Sequence, residues 1–379
     1  MRHRQKSQSE GEGFHPPKHT LFPVNSAISL DLSIYTLYIT TYSNICFIHI
    51  VGIAGMGEIH TVFARHETFH PRFGWLKKGF DHVKKDPALF YNKNEAHIHL
   101  GVGKNMANAI RYWLSAFGLM EEMENRAGYK TTSFANHLFG KTGWDPYLED
   151  PASLWLLHYK LATNGEQATA WFYLFNEFNF RDFTSEEAVT ALDLYVKQQG
   201  PAKPIATSSI EKDINCLLRM YLADPVGDKF IEDSLDSPFV ILDLIHKYPE
   251  NYEKKKYVFH TGEKSNLPAE IIVSLCLDYV SSTAEVAQTI SLTKLTYETS
   301  SPGLVCKITE SEIEVAIEQV SAKHKNLKVA NQAGVAHMVF EGSAMHLYHE
   351  ILQGYYGSSD RHSYSELIEE EPIRIAVNN

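Results

Sequence analysis

A chain of 379 residues can bury a substantial core and has room for two domains with an extension. Its 44% hydrophobic and 12% aromatic content excludes a disordered protein, and a net charge of −11 excludes a general nucleic-acid coat, so any contact with phosphate must be local. Cys46, Cys216, Cys276 and Cys306 lie far apart with no paired ligand spacing, which points to neither a zinc knuckle nor a disulfide framework and fits a reducing, cytoplasmic interior.

Residues 1–26 are polar with little to pack, and the run from Ile28 to Gly55 is apolar but interrupted by Asp31, Asn44 and His49. The composition predicts that residues 1–55 are a disordered or mis-assigned N-terminal extension, with translation starting at Met56, in preference to a signal anchor. No apolar span after Met56 is long enough to cross a bilayer.

Residues 56–150 read as a winged-helix-like domain. A short strand is expected over Ile59–Ala64, then a helix over Trp75–Lys85 that Asp86-Pro87 ends. Leu100-Gly101-Val102-Gly103 makes a tight turn into a second helix over 104–117, which Gly118 stops. At about 100° per residue this helix gathers Lys104, Asn108, Arg111 and Ser115 on one face and Met106, Ile110, Trp113, Leu114 and Phe117 on the other. Leu119–Met123 and Tyr129–Phe134, about a turn near Gly128, then form a wing. An ordinary amphipathic helix packed on a hairpin would carry the same pattern. Arg65, Arg72, Lys77, Lys78, Lys84 and Lys85 add a local basic cluster just before it.

From Pro151 the chain turns strongly helical through residue 237, with Pro151 opening one helix and Thr184-Ser185-Glu186-Glu187 a capping-box start for another. Gly200–Pro204 and Asp224–Ser237 are linker candidates. Residues 238–357 read as a second winged-helix-like module. It has helices opened by Leu267-Pro268-Ala269-Glu270 and near Ser291, one capped by Thr309, and a hairpin over Leu327–Phe340. Its third helix carries Glu310, Glu312, Glu314 and Glu318, which repel phosphate and suit a protein contact. Residues 358–379 read as a flexible tail. The expected fold class is α+β, mainly α, with two winged-helix-like modules joined by a helical region.

Two motifs promise chemistry and fall short. His66-Glu67-Thr68-Phe69-His70 matches the H-E-x-x-H pattern of zinc peptidases, in which one helical turn brings both imidazoles to the metal. Pro71 pushes His70 away from helical geometry, and the extended form of the motif fails at Phe73 and Leu76. Gly101-Val102-Gly103-Lys104-Asn105 lacks the Gly and the Ser or Thr that a phosphate-binding loop requires. No cofactor is expected.

Several separated blocks resemble a known family. His66-Glu67-Thr68-Phe69 with Arg72, Gly74-Trp75-Leu76-Lys77-Lys78-Gly79, Leu100–Met106 with Ile110-Arg111-Tyr112-Trp113, and Asp145–Asp150 with Leu154–His158 are similar in order to the bacterial domain of unknown function 4007. Ser301-Pro302-Gly303 and Tyr355-Tyr356 fit as well. The resemblance implies a place among phage-defence genes, often beside a sulfurtransferase of the DNA phosphorothioation kind; it assigns no catalytic residues. In that family the position of His70 is not characteristically His.

The expectation is therefore a DNA-binding accessory or sensing protein of a bacterial DNA-modification or defence system. Lys104, Asn105, Asn108 and Arg111 would face the groove of double-stranded DNA, with Arg72, Lys77, Lys78 and Lys130 on phosphates. A sulfurtransferase or other defence protein would contact the acidic C-terminal module. The alternative is a zinc-dependent hydrolase or nuclease using His66, Glu67 and His70, with His66 and His70 on the metal.

Overall fold

The computed structural model describes residues 35–42, 45–52, 61–91, 95–124, 126–201, 203–222, 237–248, 255–283 and 288–357. The chain divides at Gly57. Before it, β1 (Tyr35–Tyr42) and β2 (Ile45–Gly52) pair antiparallel from Tyr42↔Ile45 out to Tyr35↔Gly52. The β-branched and aromatic residues of this run favour a strand, so a hairpin stands where the composition suggests an extension. The rest of that expected extension, and the expected tail from 358, lie outside the described residues. No described helix is long and apolar enough to cross a membrane.

After Gly57 the expected strand Ile59–Ala64 is absent in its described part, 61–64. Side chains take its backbone donors: Val62 N–H donates to Thr169 Oγ1 at 3.1 Å and Ala64 N–H to Asp213 Oδ1 at 2.7 Å. Next come α1 (Trp75–Lys85), α2 (Ala96–Leu100) and α3 (Lys104–Ala116), then the antiparallel pair β3 (Met120–Glu122) and β4 (Tyr129–Thr131). The end of α3 shows why Gly118 stops it. At φ 63° it lets its own N–H reach Ser115 O at 3.0 Å while Leu119 N–H reaches Leu114 O at 2.8 Å, which satisfies two terminal carbonyls. Thr132 then caps α4 (Ser133–Phe139) and donates its hydroxyl to Gly118 O at 2.7 Å, tying the hairpin to the helix before it.

Pro151 opens α5 (Pro151–Ala162), which is buried almost all round because Leu, Trp and Ala recur on every face. Its polar side chains are satisfied by distant segments. Ser153 meets the Tyr356 hydroxyl at 2.9 Å, Trp155 donates to Asn266 Oδ1 at 3.1 Å, and Lys160 pairs with Asp278 at 2.7 Å. These bonds, with a continuous apolar core from Phe63 to Tyr356, hold the described residues after Gly57 in one body.

Around α5 the chain lays out the same plan twice. After α6 (Thr169–Phe172) and a π-helical turn, Tyr173–Glu177, come β5 (Asp182–Thr184), α7 (Ser185–Gln198) and α8 (Thr207–Tyr221), then a 3₁₀ turn, Pro238–Leu242, and the hairpin β6 (Ile245–Lys247) and β7 (Lys256–Phe259). The second round is α9 (Ala269–Ser282), β8 (Thr289–Ser291), α10 (Leu292–Tyr297), α11 (Pro302–Cys306), α12 (Glu310–Ser321), β9 (Leu327–Gln332) and β10 (Val335–Phe340). The sheet orders are β5-β7-β6 and β8-β10-β9, so in each a lone strand pairs with the last strand of the hairpin. The capping boxes at Thr184/Glu187 and Thr309/Glu312 both form. A final helix, α13 (Ala344–Tyr356), packs on α9. The whole is a mainly helical α+β protein.

Candidate nucleic-acid interface

The two faces of α3 separate as its periodicity requires. Ala107, Ile110, Trp113 and Leu114 are buried, joined by Tyr112, while Lys104 and Asn105 are exposed and Asn108 and Arg111 half-buried. The helix lies against α1 at Gly79, where a Cβ would come within 2.6 Å of Leu114 Cδ1. Gly101, at φ 61°, makes the turn from α2 that brings Lys104 to the start of the helix.

Beside this helix the 66–70 segment is a turn, with Glu67 and Thr68 in left-handed backbone at φ 51° and 68°. Positive φ is costly for residues with a Cβ and persists where surrounding contacts enforce it. Those contacts come from two helices. Asn108 of α3 approaches Glu67 Oε1 at 3.5 Å, and Arg219 of α8 donates Nη2–H to Thr68 O at 2.5 Å. The turn thus joins α3 to α8, and Arg219, exposed and cationic, bonds to the same turn that Asn108 of α3 contacts. Sequence reasoning missed Arg219 because it is 108 positions after Arg111 in a helix with no charge excess of its own.

His66 lies under the turn, stacked on Trp113 with ring centroids 6.0 Å apart. Its Nε2 meets Asp213 Oδ1 at 2.9 Å, and Thr68 N–H donates to its Nδ1 at 3.1 Å. Burial opposes charge on His66, but Cys216 and Asp213 raise its proton affinity; burial raises that of Asp213 as well, against the bond from His66. The shared proton sits on the Nε2–Oδ1 line, since the Thr68 N–H faces the other nitrogen. Both nitrogens of His66 are thereby engaged inside the protein, His70 is buried with Nδ1 3.3 Å from Pro71 O, and of the motif's His66, Glu67 and His70 only Glu67 faces solvent. The segment is not helical, so its histidines do not form the metal-binding pair that a helix would make.

The expected phosphate ligands are placed unequally. Lys78 is exposed. Lys77 pairs with Asp81 at 2.6 Å and Lys130 with Glu121, its cross-strand partner, at 3.0 Å. Arg72 lies over the rings of Phe69 and Trp75, at 5.9 and 5.7 Å from their centroids.

A mainly helical α+β chain with a solvent-facing basic helix on a buried aromatic underside is the class that these observations define. The chain belongs to the family described as protein of unknown function, DUF4007, whose model matches residues 63–356. It is similar to a magnesium ion-bound SspB crystal structure, at 34% identity and a TM-score of 0.74 over 82% of this chain and 93% of that one. A second SspB crystal structure aligns at the same identity and coverage with a TM-score of 0.72. No match was found among curated proteins.

Proposed function

We propose that this protein binds double-stranded DNA through the outer face of α3, as an accessory or sensing component of a bacterial DNA-modification or defence system. The observation that carries this reading is the exposure of Lys104 and Asn105, with Asn108 and Arg111 beside them, on a helix fixed by its other face. The order α1, α2, α3, β3, β4 supports a winged-helix reading, in which the third helix enters the major groove and the hairpin lies along the backbone. Lys104, Asn105, Asn108 and Arg111 read or flank base edges. Lys78 contacts phosphate, and Lys77 and Lys130 do so by exchanging Asp81 and Glu121 for it. Residues 238–357 are read as the second winged-helix-like module, and Glu314 and Glu318 on α12 give it a surface for a basic segment of a protein partner such as a sulfurtransferase.

The test is duplex binding by the Lys104→Ala/Arg111→Ala variant over a range of salt. Weakened affinity with a shallower salt dependence is the expected result; unchanged affinity removes the assignment.

A second reading, a metal-assisted nuclease, draws support from the magnesium of the SspB relative and from Glu67. That carboxylate is exposed, held out by left-handed backbone, and next to Asn108. An oxygen donor of this kind suits magnesium, which keeps several waters and completes its shell on phosphate. Glu67→Gln would then abolish magnesium-dependent strand cleavage and leave duplex binding intact; absence of cleavage by the wild-type protein ends this reading.

A further inference from the structure

We infer that Asp243, His246 and His260 form a binding site for a zinc ion at the base of the β6–β7 hairpin. Among the described residues they are the one group of three metal-ligating side chains whose donor atoms all lie within 4.8 Å of one another.

The sheet explains why they meet. In the β6–β7 register His246 stands opposite Val258, and His260, two residues further on, continues the ladder with its N–H on Leu244 O at 3.0 Å. Residues two apart on a strand share a face, so the imidazoles become diagonal neighbours with centroids 4.8 Å apart. Asp243 ends the 3₁₀ turn in left-handed backbone, φ 53° and ψ 40°, and its carboxylate contacts a nitrogen of each ring. His246 Nε2 is 2.6 Å from Oδ1 and His260 Nδ1 is 3.1 Å from Oδ2. Donors bound to one tetrahedral zinc at bond lengths of about 2.0–2.2 Å stand roughly 3.3 Å apart, so small side-chain rotations convert the hydrogen-bonded trio into a ligand set. The protons now facing the carboxylate move to the other ring nitrogens.

Two neutral imidazoles and one carboxylate suit zinc and do not fit magnesium, which prefers six oxygens. The site is therefore distinct in kind from a magnesium site of the sort named for the SspB relative. It opens on a shallow pocket of about 430 Å³ lined also by Glu263, Lys264 and Asn266, which leaves room for a water or an outside group in the remaining position. The inference does not depend on DNA binding.

The experiment is calorimetric titration of zinc into the chelator-treated full chain, with thermal melting alongside. One saturable equivalent is expected, unaffected by excess magnesium and accompanied by a higher melting temperature. His246→Gln and His260→Gln, both at partly exposed positions, should each lower the zinc affinity by at least tenfold and abolish the melting shift while the metal-free proteins melt as the wild type does. Should the wild-type chain show no saturable equivalent, or should the His246→Gln/His260→Gln double variant keep it, the site is refuted.

Discussion

Arg219 of α8 donates to the carbonyl of Thr68 at 2.5 Å, bridging 151 positions of sequence and fixing an exposed cation on the turn that Asn108 of α3 also contacts. If duplex DNA lies on the outer face of α3, Arg219→Ala should weaken binding and reduce the slope of log affinity against log salt by about 1, as expected for one lost phosphate contact. The variant also loses an exposed bond that holds the Glu67–Thr68 turn, so the melting temperature should fall slightly. An unchanged salt slope in a gel-shift or anisotropy series would exclude α8 from the interface.

Much of the fold was legible where a local rule decides it. Trp75–Lys85 was delimited by the proline after it, α5 by Pro151, and α7 and α12 by their capping boxes, because each signal acts within one helical turn. The faces of α3 followed from its period. What stayed hidden depends on distance in sequence: β5 and β8 are each three residues long and exist only through pairing with β7 and β10. The strand expected at Ile59–Ala64 failed for the converse reason, since Thr169 and Asp213 claim its backbone donors. At the candidate site the division of α3 into a buried and an outer face was legible in its period, whereas the turn at Glu67 and its bond to Arg219 require the folded chain.

Asp213 accepts both His66 and the Ala64 N–H while almost wholly buried. Asp213→Ala leaves the buried His66 donor and the half-buried Ala64 N–H without an acceptor, and the cost should be about 3–5 kcal/mol, the range for breaking a buried ionisable pair. Asp213→Asn retains an acceptor oxygen and should cost less. Urea denaturation of the two variants checks the order; equal losses would mean that side-chain volume, not hydrogen bonding, is what the site needs.

His158 gives a pH dependence with a definite sign. Its Nδ1 lies 2.7 Å from the Tyr221 hydroxyl and its Nε2 3.0 Å from Val305 O, and burial lowers its pKa from 6.5 to about 4, with Lys307 adding to the fall and the Val305 bond opposing it. Above pH 6.5 the ring is neutral in both folded and unfolded chains and contributes no slope. Between 6.5 and 4 the unfolded chain takes up a proton that the folded one resists, so stability should fall by up to roughly 1.4 kcal/mol per pH unit. Denaturation midpoints across that window should show this extra slope in the wild type and lack it in His158→Asn; parallel profiles would place the titration elsewhere.

Gly79 tests how tightly α3 is seated. Alanine is the better helix former by about 1 kcal/mol, yet a Cβ at this position would lie 2.6 Å from Leu114 Cδ1 and 2.8 Å from Ile110 Cγ2. Overpacking of this kind costs about 1–3 kcal/mol, so Gly79→Ala should be destabilising on balance even though it improves helix propensity. The clash is with side chains, and Leu114→Ala should remove the closer part of it, leaving the contact with Ile110. In a double-mutant cycle the alanine at 79 should therefore cost less, or stabilise, once Leu114 is shortened. Additive effects would mean that α1 and α3 separate readily, and that the packing of Gly79 does not set the height of the basic face above the core.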